Sequence, residues 1–264
     1  YDPWMSGILL DMLDQDFHIV QYEMSQMAQY LVESKRISSI LAIHELTFIR
    51  ERLRFRHAPF LQKLKAVLIW MSALNIERSA GERFDRIVVM SERDRDELLR
   101  YSPKAKVNII GVGVDTGYFK PMPEIEEEKN TLLFSGWFRH KPNVDAAQFL
   151  CRKVLPLVRR NIPNVKLEIA GGEAPKSVRA LSNLANVSVK GYVEDLRPVI
   201  AKSSVYVCPI ITGSGVRMKL LEAWSLGKAV VSTSLGCQGL YAIDGWNVAI
   251  ANDPKEFAAR VVQL

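Results

Sequence analysis

The chain has 264 residues, of which 48% are hydrophobic and 24% are charged, and its formal net charge is +6. This composition is typical of globular proteins and excludes the collagen-like, disordered and disulfide-scaffold classes. The basic balance fits either a solvated surface or an anionic partner, but the sequence has no zinc-finger, RNA-binding or strongly basic segment, so we expect no nucleic-acid partner.

The first part of the chain has four apolar runs that are typical of strands, at 17–22, 39–43, 86–90 and 107–112. Amphipathic patterns between them predict helices, including one at 92–99 that Ser91 is placed to cap. Residues 1–16 resemble the middle of a domain, without an opening strand and glycine-rich turn. We therefore expect residues 1–121 to form an α/β domain whose N-terminal portion is incomplete.

The second part begins after residues 121–130, where two prolines and an acidic cluster predict an exposed linker at 122–130. Beyond it, β-rich runs alternate with helical patterns. The predicted strands are 132–137, 165–170, 187–193, 204–210, 229–234 and 247–251. The predicted helices are 144–162, 178–184, a segment capped by Asp195 and ending at 202, 216–226, and 254–264. This alternation predicts a parallel, doubly wound sheet in a domain at 131–264.

Ligands of such sheets bind beyond the carboxyl ends of the strands, which makes four loops candidates for a site: 136–143, 171–172, 192–195 and 212–217. The last loop precedes a predicted helix with Arg217 in its first turn and Lys219 and Glu222 on one face. Open N–H groups after Gly213 and Gly215 would favour an anion there. The alternative is a glycine turn beside an ordinary Lys–Glu surface pair.

Three other segments are weaker candidates. Arg139 and Lys141 follow Gly136 in a predicted loop and suit a diphosphate, although a basic surface loop has the same pattern. Tyr192 lies at a predicted strand end, where it either receives a base or is buried in the core. His44 and Glu45 end a predicted strand, which is a position typical of catalytic residues and also of buried, hydrogen-bonded ones.

The order of several motifs resembles the C-terminal domain of GT-B glycosyltransferases of the large retaining family 4. The matching segments are F-S-G at 134–136, P-N at 142–143, V-L-P at 154–156, G-Y-V-E-D at 191–195, G-S-G-V-R-M-K-L-L-E-A at 213–223, G-K-A-V-V-S-T at 227–233 and G-C-Q-G-L at 236–240. Upstream, F-D-R-I-V-V-M-S at 84–91 and G-V-D-T-G-Y-F-K-P at 113–121 are also similar to that family.

The resemblance implies the GT-B fold, with two Rossmann-like doubly wound domains. It implies transfer of a sugar from a nucleotide-diphosphate-sugar donor to a glycan or lipid-linked acceptor, with retention and without metal or another cofactor. The family has two glutamates with seven residues between them around this helix; the second corresponds to Glu222, and the first falls at Ser214, where this chain departs from the pattern.

The resemblance also assigns roles to the candidate residues. Glu222 is expected to bind the ribose hydroxyls, and His44 and Glu45 are expected to face the acceptor as catalytic residues. The backbone at Tyr192 and Val193 is expected to hold the base. The residues expected to hold the donor diphosphate are Gly136, Arg139, Lys141, Gly213, Ser214, Gly215, Arg217 and Lys219.

Three alternatives stay open. A sugar-nucleotide epimerase of the same architecture would bind the same donor without a separate acceptor. A nicotinamide-dependent enzyme would need G-x-G-x-x-G, but Met218 occupies the third glycine position. A non-catalytic sugar-nucleotide-binding protein would explain Ser214, whereas Arg217, Lys219 and Glu222 argue against it.

The cellular location follows from several weaker signals. Cys151, Cys208 and Cys237 form no C-x-x-C pair and the N-terminus has no signal-peptide pattern, which favours the cytoplasm. Residues 60–74 combine apolar side chains with Lys63 and Lys65, which predicts peripheral association with an anionic membrane, at its inner face. The alternative is a helix buried in the first domain.

Overall fold

The computed structural model describes residues 2–13, 15, 17–34, 36–57 and 59–264. In sequence, residues 1–16 resemble the middle of a domain, and residues 1, 14 and 16 of this segment lie outside the described residues. The chain divides into two compact units, one of Tyr1–Val112 with Ser214–Val216 and one of Gly113–Gly213 with Arg217–Leu264. Each unit is built on its own parallel sheet.

In its described residues, the first unit has four parallel strands that follow one another across the sheet in chain order. They are β1 (Ile19–Glu23), β2 (Ser38–Ile43), β3 (Arg86–Val89) and β4 (Val107–Ile109). The helices are α1 (Pro3–Leu13), α2 (Thr47–His57), α3 (Lys63–Arg83) and α4 (Glu92–Tyr101). All four predicted strands are present, with ends shifted by a few residues.

Two polar caps fix helices in the first unit. Ser91 accepts the backbone N–H of Asp94 at 3.2 Å, which confirms the predicted cap of α4. The buried carboxylate of Glu77, from α3, accepts the N–H groups of Thr47 at 2.7 Å and Phe48 at 3.1 Å and so closes the N-terminus of α2. These N–H groups have no partner within their own helix, which is why a carboxylate is stable there.

The second unit has a parallel sheet of six strands among its described residues, in the order β10-β9-β8-β5-β6-β7. The strands are β5 (Glu128–Ser135), β6 (Lys166–Ala170), β7 (Val187–Gly191), β8 (Ser203–Cys208), β9 (Ala229–Ser232) and β10 (Ala249–Ile250). The chain builds outward from β5 to β7, then returns to β8 on the other side of β5. This reversal creates a switch point between β5 and β8, where ligands of doubly wound sheets bind.

The helices of the second unit are α5 (Lys141–Phe149), α6 (Leu155–Val158), α7 (Lys176–Arg179), α8 (Arg197–Lys202), α9 (Met218–Ser225) and α10 (Pro254–Gln263). The predicted helix at 144–162 starts earlier, because Pro142 sits in its first turn and has no N–H to satisfy. A π-helical turn at Leu150–Val154 interrupts it just before Pro156, whose missing N–H breaks the regular ladder.

The boundary between the units falls after residue 112, earlier than the predicted linker at 122–130. Residues of 113–121 are fastened to the second unit: Phe119 packs on its core and its carbonyl accepts the hydroxyl of Ser225, and Arg197 donates to the carbonyl of Tyr118 at 3.1 Å. At its other end the predicted linker overlaps β5, which begins at Glu128. The proline and acidic residues therefore mark a surface segment within the second unit.

Candidate functional site

Glycines follow the central strands of the second sheet at their carboxyl ends. Gly136 follows β5 and Gly171 follows β6, and the Gly136 N–H donates to the carbonyl of Ala170 at 2.9 Å. Gly171 has φ +143°, and a Cβ there would lie 1.8 Å from the Gly136 carbonyl oxygen. Gly191, with φ +72°, ends β7. Gly171 is therefore required by the close approach of the loops after β5 and β6, whereas the backbone at Gly191 faces open space that a ligand could enter.

The loop between β8 and α9 contains two glycines with positive φ. Gly213 and Gly215 have φ +103° and +82°, values that side-chain-bearing residues rarely adopt. The prediction that Arg217 lies in the first helical turn is wrong: α9 begins at Met218 and Arg217 is its N-cap residue. Because the N-cap residue has extended φ and ψ, its side chain leaves the backbone just before the helix.

Lys219 is the cation that the fold brings to the end of β5. Its ammonium group donates to the carbonyl oxygen of Ser135 at 2.6 Å and to Oδ1 of Asn143 at 3.0 Å, and it lies 4.8 Å from the Phe134 ring centroid. Burial, together with the positive charge of Arg217, lowers the pKa of Lys219 to about 8. The alternative of an ordinary Lys–Glu surface pair does not hold, because Lys219 reaches across to β5.

Glu222 lies one turn further along α9 and is partly buried. Burial raises the pKa of its carboxyl group, and the charge of Lys219 opposes that rise. None of the described residues donates a hydrogen bond to this carboxylate. A partly desolvated acceptor of this kind gains more from a ligand hydroxyl than a fully hydrated one does.

The structure places Arg139 and Lys141 differently from the predicted basic loop. Lys141 begins α5 and forms an ion pair with Asp145 at 2.7 Å, so it is an exposed residue of the first helical turn. Asp145 also accepts the hydroxyl of Thr212 at 3.3 Å. Arg139 is exposed, and it makes no ion pair with any residue that the structure describes. Neither cation is joined to the end of β5 as Lys219 is.

The strand end at β7 presents an exposed aromatic residue. Tyr192 is 72% exposed, so the alternative that it is buried in the core is wrong. Val193 is partly buried and packs against the core of the second unit. Nearby, Asp195 accepts the N–H of Arg197 at 3.0 Å at the start of α8. This bond matches the predicted cap, although the N-cap position itself is Leu196.

Two residues at this edge of the second sheet, Asn143 and Ser135, are not identified as site residues by the sequence analysis. Asn143 accepts from Lys219 and donates from its amide nitrogen to the carbonyl of Trp137 at 2.8 Å, so it orients both the lysine and the loop after β5. Ser135 supplies the second acceptor for Lys219. The Pro142-Asn143 pair directly after the β5 loop is the sequence feature that could have pointed to Asn143. Its contact with Lys219 spans 76 residues of sequence, however, and such a contact produces no local pattern.

In the first unit, His44 and Glu45 follow β2 as predicted. Nε2 of His44 lies 2.7 Å from the carboxylate of Glu23, at the end of the neighbouring strand β1, and both side chains are 52% exposed. This hydrogen bond lowers the pKa of Glu23. Glu45 pairs with Arg50 at 2.9 Å and accepts the hydroxyl of Ser214, which is counted with the first unit. The buried alternative for His44 therefore does not hold.

Within the described residues, no three His, Cys, Asp or Glu side chains converge as a metal site. No helix in the same residues is long and apolar enough to cross a bilayer.

Comparisons with known proteins place this geometry in a family. Residues 129–264 match the family model described as "Glycosyl transferases group 1". An uncharacterized 44.6 kDa protein in the cps region of Klebsiella pneumoniae is 30% identical over 139 residues, which is 50% of this chain and 36% of that protein. The chain spans between 36% and 55% of the length of the curated relatives it matches.

Solved structures establish the fold. Sucrose-phosphate synthase from Thermosynechococcus elongatus superposes with a TM-score of 0.74 at 16% identity, over 98% of this chain and 67% of that one. HepE from Anabaena, solved in complex with UDP, superposes with a TM-score of 0.67 at 11% identity, over 99% of this chain and 72% of that one. The chain therefore has the α/β fold of the GT-B glycosyltransferases, and because the family model covers more than half of it, the chain belongs to the glycosyl transferases group 1 family.

Proposed function

We propose that the protein is a retaining glycosyltransferase of family 4 that moves a sugar from a nucleotide-diphosphate-sugar donor to a glycan or lipid-linked acceptor. The second unit would bind the donor. The observation that carries this proposal is Lys219, which Ser135 and Asn143 hold at the end of β5 at the switch point of the sheet. Arg217 at the N-cap and Glu222 one turn along α9 complete the group of charged side chains.

The chemistry of the donor suits these charges. As the glycosidic bond breaks, negative charge grows on the diphosphate leaving group, and fixed cations with helix-end N–H groups stabilise it. Removing one such donor group typically raises the barrier by about 3 to 4 kcal/mol. Lys219 and Arg217 would supply this stabilisation without a metal ion. With retention, the acceptor oxygen attacks on the face that the diphosphate leaves.

The remaining edge would hold the nucleoside. The carboxylate of Glu222 would accept the ribose hydroxyls, since none of the described residues donates to it. The bare backbone after β7 and the exposed ring of Tyr192 would receive the base. In the first unit, His44 with its Glu23 partner and Glu45 are the groups proposed to face the acceptor. UDP bound to a GT-B relative, HepE, supports a nucleoside diphosphate as the ligand class.

A non-catalytic or epimerase-type sugar-nucleotide-binding protein of the same fold is the alternative. Ser214 favours the non-catalytic protein but not the epimerase, because the family pattern has a glutamate at that position. Incubation of a sugar nucleotide with the protein, without acceptor, distinguishes an epimerase from the other two by its product. An epimerase yields an epimeric sugar nucleotide, a transferase yields at most slow hydrolysis, and a binding protein yields neither.

Calorimetric titration of UDP, GDP and ADP in the presence of EDTA tests donor binding and identifies the base. We expect one diphosphate to bind, and Glu222→Ala to weaken it by about 10- to 100-fold, as loss of a charged hydrogen bond predicts. The matched control Glu124→Ala removes an exposed glutamate of the second unit and should leave affinity unchanged. Absence of binding by all three nucleotides would contradict the proposal.

A further inference from the structure

The outer side of α3 and the short turn before it carry large, exposed apolar side chains. Leu64, Leu68 and Met71 are spaced three and four residues apart, which places them on one face of the helix. We call these side chains and the two before them the α3 face; their exposed fractions are Phe60 87%, Leu61 93%, Leu64 72%, Leu68 59% and Met71 58%. The alternative that this helix is buried in the first unit is therefore wrong for the α3 face.

The α3 face lies within a stretch of one charge sign. Between Glu51 and Glu77 the sequence contains no aspartate or glutamate, and its lysines and arginines are Arg52, Arg54, Arg56, Lys63 and Lys65. Arg56, Lys63 and Lys65 are exposed. Apolar side chains flanked by exposed cations are typical of helices that lie in the interface of an anionic membrane.

An apolar cleft continues from the α3 face into the first unit. It has a volume of about 370 Å³, and α3 contributes Leu68, Ile69 and Ile76 to its lining. Ser25 and Thr47, which follow β1 and β2, line it from the other side. The cleft therefore joins the α3 face to the carboxyl edge of the first sheet.

We propose that the α3 face docks on an anionic lipid surface, with Phe60, Leu61 and Leu64 inserted at the boundary between headgroups and acyl chains. Lys63, Lys65 and Arg56 would contact the lipid phosphates. A second copy of the chain is a poorer occupant, because pairing two α3 faces would bring the same cations together, and like charges across an interface are unfavourable. This inference goes beyond the proposed sugar transfer and uses none of its residues.

Co-sedimentation with vesicles tests the proposal. Wild-type protein is mixed at low salt with vesicles of phosphatidylcholine alone or with phosphatidylglycerol added. The test variants are Leu61→Ser/Leu64→Ser and Lys63→Glu/Lys65→Glu. The matched controls lie elsewhere: Tyr241→Ser/Trp246→Ser replaces side chains that are 92% and 75% exposed, and Lys104→Glu/Lys255→Glu reverses two other exposed lysines.

We expect the wild type to pellet with anionic vesicles, to be released by high salt, and to stay in solution with phosphatidylcholine alone. Each lysine near the surface contributes roughly fivefold to partitioning, so the lysine variant should lose at least about tenfold. The leucine variant should lose a similar factor, and the controls less than about twofold. Circular dichroism and thermal midpoints equal to wild type would show that the variants are folded.

Three results would overturn the proposal. One is wild-type protein that stays in the supernatant with anionic vesicles at low salt. Another is test variants that pellet as strongly as their controls. The third is a wild-type dimer in sedimentation velocity that Leu61→Ser/Leu64→Ser converts to monomer without any vesicle binding, which would make the α3 face an interface between copies. The titration with UDP tests the proposed donor site, and its outcome does not depend on any of these three results.

Discussion

The ammonium group of Lys219 lies 2.6 Å from the backbone carbonyl oxygen of Ser135, so the first turn of α9 is joined to the end of β5. The two strands that meet at this edge, β5 and β8, are adjacent in the sheet although helices and two strands separate them along the chain. A single side chain thus fixes a positive charge at the switch point, and the loop after β5 is held by the same contact through Asn143.

The charge of Lys219 makes nucleotide binding depend on pH. Since its pKa is lowered to about 8, the side chain is mainly protonated at neutral pH and loses its proton as pH rises through that value. We expect the affinity for UDP to fall over this range. Lys219→Arg should flatten the profile, because arginine stays charged there. Calorimetry at a series of pH values gives the dissociation constant of UDP for wild type and for Lys219→Arg. A wild-type affinity that does not change around pH 8 would contradict the role of Lys219.

Glu77 is predicted to stabilise the first unit. Its buried carboxylate accepts from the Ser25 hydroxyl and from the N–H groups of Thr47 and Phe48. Glu77→Ala leaves these donors without a partner, so we expect the free energy of unfolding to fall by about 3 kcal/mol or more. Urea denaturation measures this free energy of unfolding, and Glu82→Ala, which replaces an exposed glutamate of the same helix, is the control. Equal unfolding free energies for the two variants would be the opposing result.

Alanine substitutions at Gly171 and Gly191 in the second unit distinguish the cost of a steric clash from the cost of a strained backbone conformation. Gly171→Ala would place a Cβ 1.8 Å from the Gly136 carbonyl oxygen, whereas Gly191 has open space around the same position. Both have positive φ, so Gly191→Ala should cost only about 1 to 2 kcal/mol of stability. We expect Gly171→Ala to cost more than twice that or to prevent folding of the second unit. Denaturation curves for the pair check this, and similar losses would argue against the close approach of the two loops.

Much of the fold follows from local sequence patterns. Apolar runs and turn residues predict all ten strands that the two sheets have in the described part of the chain, and Ser91 predicts the start of α4. Contacts between distant segments are less accessible. The packing of Phe119 on the second core moves the boundary to residue 112. Such contacts depend on strand order, which hydrophobic periodicity does not encode.

The candidate site shows the same division. Glycine spacing around Gly213 and Gly215 and the charges at Lys219 and Glu222 are local features that sequence reasoning identifies. Lys219 is held by two acceptors, Ser135 and Asn143, which lie 84 and 76 residues away in the sequence. These contacts can be identified only when the adjacency of β5 and β8 is known. Exposure is likewise a tertiary property, which is why the sequence alone does not determine whether Tyr192 and the side chains of the α3 face are buried.

The most direct test of the donor site is calorimetric titration of UDP, in EDTA, into wild-type protein, Lys219→Met and Lys166→Met. Lys166 is an exposed lysine at the start of β6 that pairs with Glu128 and lies outside the site. We predict that wild type and Lys166→Met bind one UDP with equal affinity, and that Lys219→Met loses at least about tenfold in affinity. Equal binding by all three proteins would contradict a donor site built around Lys219.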